Sequence, residues 1–212
     1  MNISDLLYSA NLQALENTLK VHPELANKEI SLSDNPATAH PLHRICDGVF
    51  SGRYSAETAL ELAKIFLDHG ATVNIGLTSE KDSPLIAACS LQCDQLALLY
   101  IQHGADIHHR GTHGGTALHW ASWCGRDVIV ERLVELTSDI NQLCTDFKST
   151  PLFWAIHGYK FGGKDNLHHQ VACARILLEH GADRSIPNFE GHLPEQLVGD
   201  HDKELLDLLR KR

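Results

Sequence analysis

Apolar residues along this chain recur in short bursts with helical spacing, and the same pair of bursts returns in the same order several times. The first burst opens on a small residue or Pro followed by Leu: AHPLHRIC around Leu42, DSPLIAAC around Leu85, GTALHWAS around Leu118 and STPLFWAI around Leu152. Proline is tolerated in the first turn of a helix, where its missing N–H has no intrahelical acceptor, so a short helix is predicted from each of these points. A longer periodic run follows, such as Glu61 to Leu67 or Val171 to Leu178, and stops at His-Gly, where glycine takes the left-handed conformation of a helix end. The predicted unit is helix, turn, helix and connecting loop.

This unit has a period. Leu85 to Leu118 is 33 residues, Leu118 to Leu152 is 34, and Gly70 to Gly104 is 34. A fixed period of this size marks a solenoid whose units bury their apolar faces only against one another. Each unit closes on a second marker: HGATVN from His69, HGADIH from His103, LTSDIN from Leu136 and HGADRS from His180. Taken together, the openings and closings resemble the Thr-Pro-Leu-His start and Gly-Ala-Asp-Val-Asn end of the ankyrin-repeat family, over nearly the whole chain. The resemblance implies an all-α ankyrin-repeat solenoid of about six repeats, including degenerate caps, as a single domain over 1–212. Its boundaries fall at about 4–34 for the N-cap repeat, about 35–76, 77–109, 110–142 and 143–186 for the fuller repeats, and 187–212 for the C-cap repeat. The chain ends in DKELLDLLRKR, an amphipathic helix with the polar face that a terminal repeat requires. Helix pairs without an extended sheet are expected.

Two units are longer than the rest. Pro84 to Gly104 and Ala117 to Thr137 each span 20 residues, but Pro41 to Gly70 spans 29 and Pro151 to Gly181 spans 30. The additions fall between the two helices, and Phe50-Ser51-Gly52-Arg53 and Phe161-Gly162-Gly163-Lys164 within them lie 111 residues apart. Two roles fit: helix extensions left from duplication of a longer repeat, or ridges that flank a binding surface.

The residue after the Leu-His pair faces the concave groove in the family resembled here. Down the four fuller repeats that column reads Arg44, Ala87, Trp120, Trp154, with Trp123 one helical turn beyond Trp120. Two readings of the tryptophans stay open: oversized core residues, or binding anchors of the kind that dominate interfaces. On the second reading, Trp120, Trp123, Trp154 and Arg44, with Arg110, His113 and Phe147 on loop tips, form the partner-binding set, and the rings of Trp120 and Trp154 lie about one helix spacing apart, roughly 10 Å.

Composition narrows the partner. The 212 residues carry a net charge of −9, which repels phosphate backbones and anionic lipid, so nucleic acid and membrane are not expected as partners. The first twenty residues have neither a basic leader nor an unbroken apolar stretch, so no secretion signal is expected. A cytoplasmic location follows, with delivery as an effector by a machine that needs no such signal left open. Six scattered cysteines lack the density of a disulfide framework and are expected as reduced thiols.

Fifteen histidines invite a search for metal or acid-base chemistry. The resemblance gives His43 and His119 a structural place, bonding loop backbone, and His69, His103 and His180 precede helix-ending glycines. His108, His109 and His113 share one loop with only Asp106 nearby. No nucleophile elbow, phosphate loop or HExxH string occurs, and Cys124 near His119 has no orienting third group. The expectation is therefore no catalysis and no cofactor: a monomeric adaptor binding another protein or peptide along its concave face. The alternative is a metal- or small-molecule-binding protein using the His-rich loop or the clefts beside the insertions.

Overall fold

The computed structural model of the chain describes residues 2–32, 35–74, 78, 81–137, 139–162 and 167–210. Ser138 of the third closing marker, Gly163 and Lys164 of the second insertion, and the terminal Lys211 and Arg212 lie outside the described residues. Two compact units form, one from residues 1–78 with 82–106 and the other from 79–81 with 107–212.

The first unit contains α1 (Ile3–Tyr8), α2 (Leu12–Val21), a two-stranded antiparallel pair β1 (Ile30–Leu32) and β2 (Asn35–Ala39), α3 (Pro41–Phe50), α4 (Ala56–Asp68), α5 (Pro84–Ser90) and α6 (Asp94–Gln102). Within it α2 packs on α4, α4 on α6 and α3 on α5. The second unit contains α7 (Ala117–Trp123), α8 (Asp127–Val134), α9 (Pro151–Phe161), α10 (Leu167–Glu179) and α11 (Lys203–Arg210), with α7 on α9 and α8 on α10. First helices stack on first helices and second on second, as the sequence period requires. No helix among the described residues is long and apolar enough to cross a membrane.

Local chemistry sets the helix starts. Ser83 accepts the Ile86 N–H and Thr150 that of Phe153, each ahead of a proline in the first turn. In α3 the capping acceptor is the Nδ1 atom of His40, which takes the Leu42 N–H at 3.2 Å. At the other end, Gly70 and Gly181 take φ of +90° and +93° directly after α4 and α10, which confirms His-Gly as the stop. The repeating leucines are the core: Leu42, Leu62, Leu85 and Leu96 in the first unit, and Leu118, Leu133, Leu152 and Leu177 in the second, are all buried. Each contributes about 1.5–3 kcal/mol of transfer free energy.

Neighbouring loops are tied by asparagine side chains. The Asn27 amide donates to the Gly70 carbonyl at 2.7 Å and accepts the Thr72 N–H at 2.8 Å. Asn74 does the same to Gly104 and Asp106, both at 2.8 Å, and Asn141 accepts the Asp183 N–H at 2.8 Å. Asn74 and Asn141 end two of the closing markers.

Part of each addition extends the helices on either side of it. α3 and α4 have 10 and 13 residues against 7 and 9 in α5 and α6, and α9 and α10 have 11 and 13 against 7 and 8 in α7 and α8. Each insertion therefore lengthens both helices of its pair by about a turn, as the first of the two roles open from the sequence has it. Glycine makes room in both: a Cβ on Gly48 would meet the Tyr54 ring at 2.1 Å, and one on Gly158 would meet the Trp123 carbonyl oxygen at 2.2 Å.

Two further departures from the sequence reading concern the caps. The β pair was not anticipated, and Pro194 opens only a short 3-10 turn, Pro194–Leu197, before α11. All six cysteines are free thiols, five of them buried.

Candidate functional site

Helix α7 in the second unit is placed by a histidine. The Thr116 amide donates to Nδ1 of His119 at 3.1 Å, which leaves the proton on Nε2 to donate to the Ser149 carbonyl at 3.2 Å. Burial pushes the His119 pKa down to about 4, so the ring stays neutral and pins the start of α7 to the loop before α9. That bond fixes α7 and α9 side by side, with their first-helix columns adjacent.

From those columns a continuous set of rings grows. Trp154 stands edge-on to Trp120 with centroids 5.2 Å apart at 78°, and edge-on to Trp123 at 6.2 Å and 75°. The expected spacing of one helix layer is thus corrected. The indoles come within 5.2 Å and reach the edge-to-face geometry that aromatic quadrupoles favour. His157 stacks on Trp123 at 4.7 Å, and Phe161 lies 4.5 Å beyond His157. On the loop side Phe147 sits 6.3 Å from Trp154, and His113 5.1 Å from Phe147.

These rings line a groove of about 650 Å³ that also takes in Lys160 and, from the loop before Pro194, Phe189 and Glu190. Trp154, only 5% exposed, is its buried floor, whereas Phe161 and Phe189, 59% and 61% exposed, form its lips. Two nitrogens in the lining, Nε1 of Trp120 and Nδ1 of His157, are buried without a hydrogen-bond partner. Such groups are costly to leave unmade, and each calls for an explanation.

The loops are held by polar contacts beneath the rings. His113 Nδ1 faces Asp146 at 3.0 Å, and the His113 carbonyl accepts the Thr145 and Asp146 N–H groups at 3.1 and 3.2 Å. The Phe189 N–H donates to the Phe147 carbonyl at 2.9 Å, which joins the two loop tips. Arg110 donates to the carbonyls of Gly114 and Leu143 at 3.2 and 2.8 Å, so its guanidinium braces this wall from behind. At the far end Gln170 donates to the Trp123 carbonyl at 2.9 Å, the same oxygen that leans over Gly158.

Of the residues expected to bind a partner, Trp120, Trp123, Trp154, His113 and Phe147 converge on this groove, and Arg110 supports it. Arg44 is a correction. It belongs to the first unit, is 3% exposed, and its guanidinium pairs with Asp47 while donating to the carbonyls of Ile30 on β1 and Ala37 on β2. The β pair lies over the Arg44 position, and the side chain is a structural tie. Sequence reasoning missed His157, Lys160 and Phe189 as site residues, and placed Phe161 only in an insertion. A signal existed: His157 and Phe161 follow Trp154 by 3 and 7 residues, which is one helix face. The offset of His113 and Phe147, each 4 residues before its helix, leads likewise to Glu190, with Phe189 beside it.

The His-rich loop does not assemble a ligand set. His109 Nε2 bonds the Lys81 carbonyl at 2.7 Å and His113 faces Asp146, and among the described residues no three His, Cys, Asp or Glu side chains converge as metal ligands. Cys124 is no nucleophile either: burial pushes its thiol up to about 11, and the neighbouring His119 already has both ring nitrogens engaged.

Known proteins share this pattern. The family model for ankyrin repeats, a set of three copies, matches residues 42–144 and 95–188. Ankyrin repeat and SOCS box protein 16 of Homo sapiens is 33% identical over 144 residues, covering 64% of this chain and 29% of that protein. Ankyrin repeat and SOCS box protein 11 of Danio rerio is 32% identical over 168 residues, covering 79% of this chain and 41% of that protein. Palmitoyltransferase AKR1 of Lachancea kluyveri is 31% identical over 121 residues, covering 53% of this chain and 15% of that protein. The chain spans less than half the length of each of these relatives. With the period, the stacked helix pairs and a family match across most of its length, the chain belongs to the ankyrin-repeat family.

Proposed function

We propose that this chain is a protein-binding module that grips its partner in the aromatic groove of the second unit, and that it carries no catalysis of its own. Ankyrin repeats generally mediate protein–protein interaction, and the family is typically non-enzymatic. The observation that carries the proposal is the groove itself: indole, phenyl and imidazole rings around about 650 Å³, with two ring nitrogens unpaired. Stacked repeats hold such a surface rigid, so little ordering free energy is lost on binding. Buried aromatic anchors inside a polar rim are where interfaces concentrate their energy.

The test is affinity capture from native lysate with wild type, Trp120→Ala and Phe189→Ala, each checked first for an unchanged helical melt. Both variants should hold the captured partner about thirtyfold more weakly, equivalent to ~2 kcal/mol. Undiminished capture by folded variants would remove the groove from the interface.

A further inference from the structure

The groove also carries a charge pattern that selects among partners. Its acids are occupied: Asp146 beside the lining lies 3.0 Å from Nδ1 of His113 and Glu190 lies 3.2 Å from Nδ1 of His192, contacts that balance charge only when those rings are protonated. Its one lining cation is not occupied. Lys160, on the added turn of α9, lies with Nζ 5.5 Å from the centroid of the Phe161 ring, and among the described residues it has no carboxylate within ion-pair distance. The wider field differs between the two parts of the chain. Residues 1–106 hold 13 acids against 6 bases, a net −7, while residues 107–212 hold 14 against 12, a net −2. A carboxylate arriving at the second unit therefore meets less opposing charge than it would over residues 1–106.

Resting on the reading of the groove as the partner site, we propose that it takes a peptide segment of the partner in which a bulky apolar side chain fills the Trp-lined interior and an adjacent side-chain carboxylate meets Lys160 at the lip. A cationic segment fits worse. The ring face at that lip already receives the Lys160 ammonium, Trp154 is buried among neighbouring rings, and an incoming cation finds the nearby acids engaged with imidazoles. His157, 3 residues before Lys160 on the same helix, has its pKa lowered by burial and then by the Lys160 charge, which favours its neutral form and leaves Lys160 as the one lysine or arginine of the lining.

Three fluorescein-labelled peptide pools test this. Each carries an equimolar mixture of Leu, Ile, Phe and Trp at one position, flanked by Ala and Ser, with Glu, Gln or Lys as the next residue. Polarisation titrations against wild type, Lys160→Ala and Lys160→Arg should show the Glu pool binding about fivefold tighter than the Gln pool, the scale of a surface ion pair, with the Lys pool weakest. The Glu advantage should vanish in Lys160→Ala, persist in Lys160→Arg and shrink in high salt. Equal binding of Glu and Gln pools, preference for the Lys pool, or a Glu preference that survives Lys160→Ala would each overturn the charge assignment and leave the groove as an apolar site. Failure of all three pools to bind would overturn the groove reading itself, and this proposal with it.

Discussion

The two long helix pairs, α3 with α4 and α9 with α10, start from the same plan and finish it differently. Each gains about a turn per helix, and each has a glycine in its first helix against which an aromatic residue packs. In the first unit the column residue is Arg44, and a β pair lies over it, taking its guanidinium into hydrogen bonds to both strands. The space over Gly48 is filled by Tyr54 from the same pair, whose hydroxyl donates to the Ile45 carbonyl at 3.3 Å. In the second unit no strand among the described residues lies over the column, so Trp120 borders an open groove above buried Trp154, and Gly158 admits the backbone of Trp123 from the preceding pair. Whether a side chain of this column is covered or borders a groove is decided by what the adjoining loop lays over it, not by the residue type.

The largest expected effect lies where the units agree. Each keeps one histidine neutral at a first-helix start: burial pushes both His40 and His119 down to about 4 from an ordinary value of 6.5. The unfolded chain takes up these protons below about pH 6.5, while the native state resists until about 4. Stability is therefore complete above 6.5, falls as pH drops through that window, and levels off below it, by up to roughly 3 kcal/mol per histidine. Urea unfolding at pH 7.5, 5.5 and 4.5 measures this. His119→Gln should flatten the second unit's dependence, and His40→Asn that of the first. A wild-type midpoint independent of pH would show that the two rings are not held neutral.

The next effect separates the units. Gly158→Ala forces a Cβ onto a carbonyl oxygen fixed by the Gln170 hydrogen bond, and should cost about 2–3 kcal/mol. Gly48→Ala meets only a tyrosine ring that can swing aside, and should cost about 1 kcal/mol, partly offset by the better helix propensity of Ala. Equal losses in denaturant melts would mean that the two glycines do the same job. The smallest effect on stability, under ~0.5 kcal/mol for either variant, is expected for the two exposed phenylalanines, yet they should differ in binding. Phe161→Ala should weaken the captured partner about tenfold and Phe50→Ala not at all, because Phe161 is a lip of the groove and Phe50, 68% exposed, belongs to the other unit. Equal capture by both variants would dissolve that contrast.

Helix starts and stops were legible because Pro-Leu and His-Gly act locally, through one missing donor and one permitted left-handed backbone. Trp120, Trp123 and Trp154 were legible as a column for a similar reason, since helix phase depends only on spacing. Ring separation was not, because phase fixes where a Cα sits and leaves the tilt of an indole to its neighbours. Arg44 was misplaced because its fate rests on residues 30–39, whose pairing is a tertiary matter. His157 and Lys160 were not drawn out because the column takes one position per helix, the residue after the Leu-His pair, and leaves the later turns of α9 unread.

The asparagine ties have a consequence for descent. Asn27, Asn74 and Asn141 all reach backbone groups of the following loop, the carbonyls of Gly70 and Gly104 and the amides of Thr72, Asp106 and Asp183. Every residue but proline offers that amide and every residue offers that carbonyl, so the joint asks little of the side chains of the unit it fastens, the Thr72 hydroxyl on Asn27 at 3.3 Å being an addition to the backbone bonds. A gene that duplicates, lengthens or deletes one unit keeps its fastening intact from the first generation. Two long units among shorter ones, 110 residues apart at Pro41 and Pro151, are what such a permissive joint allows to accumulate.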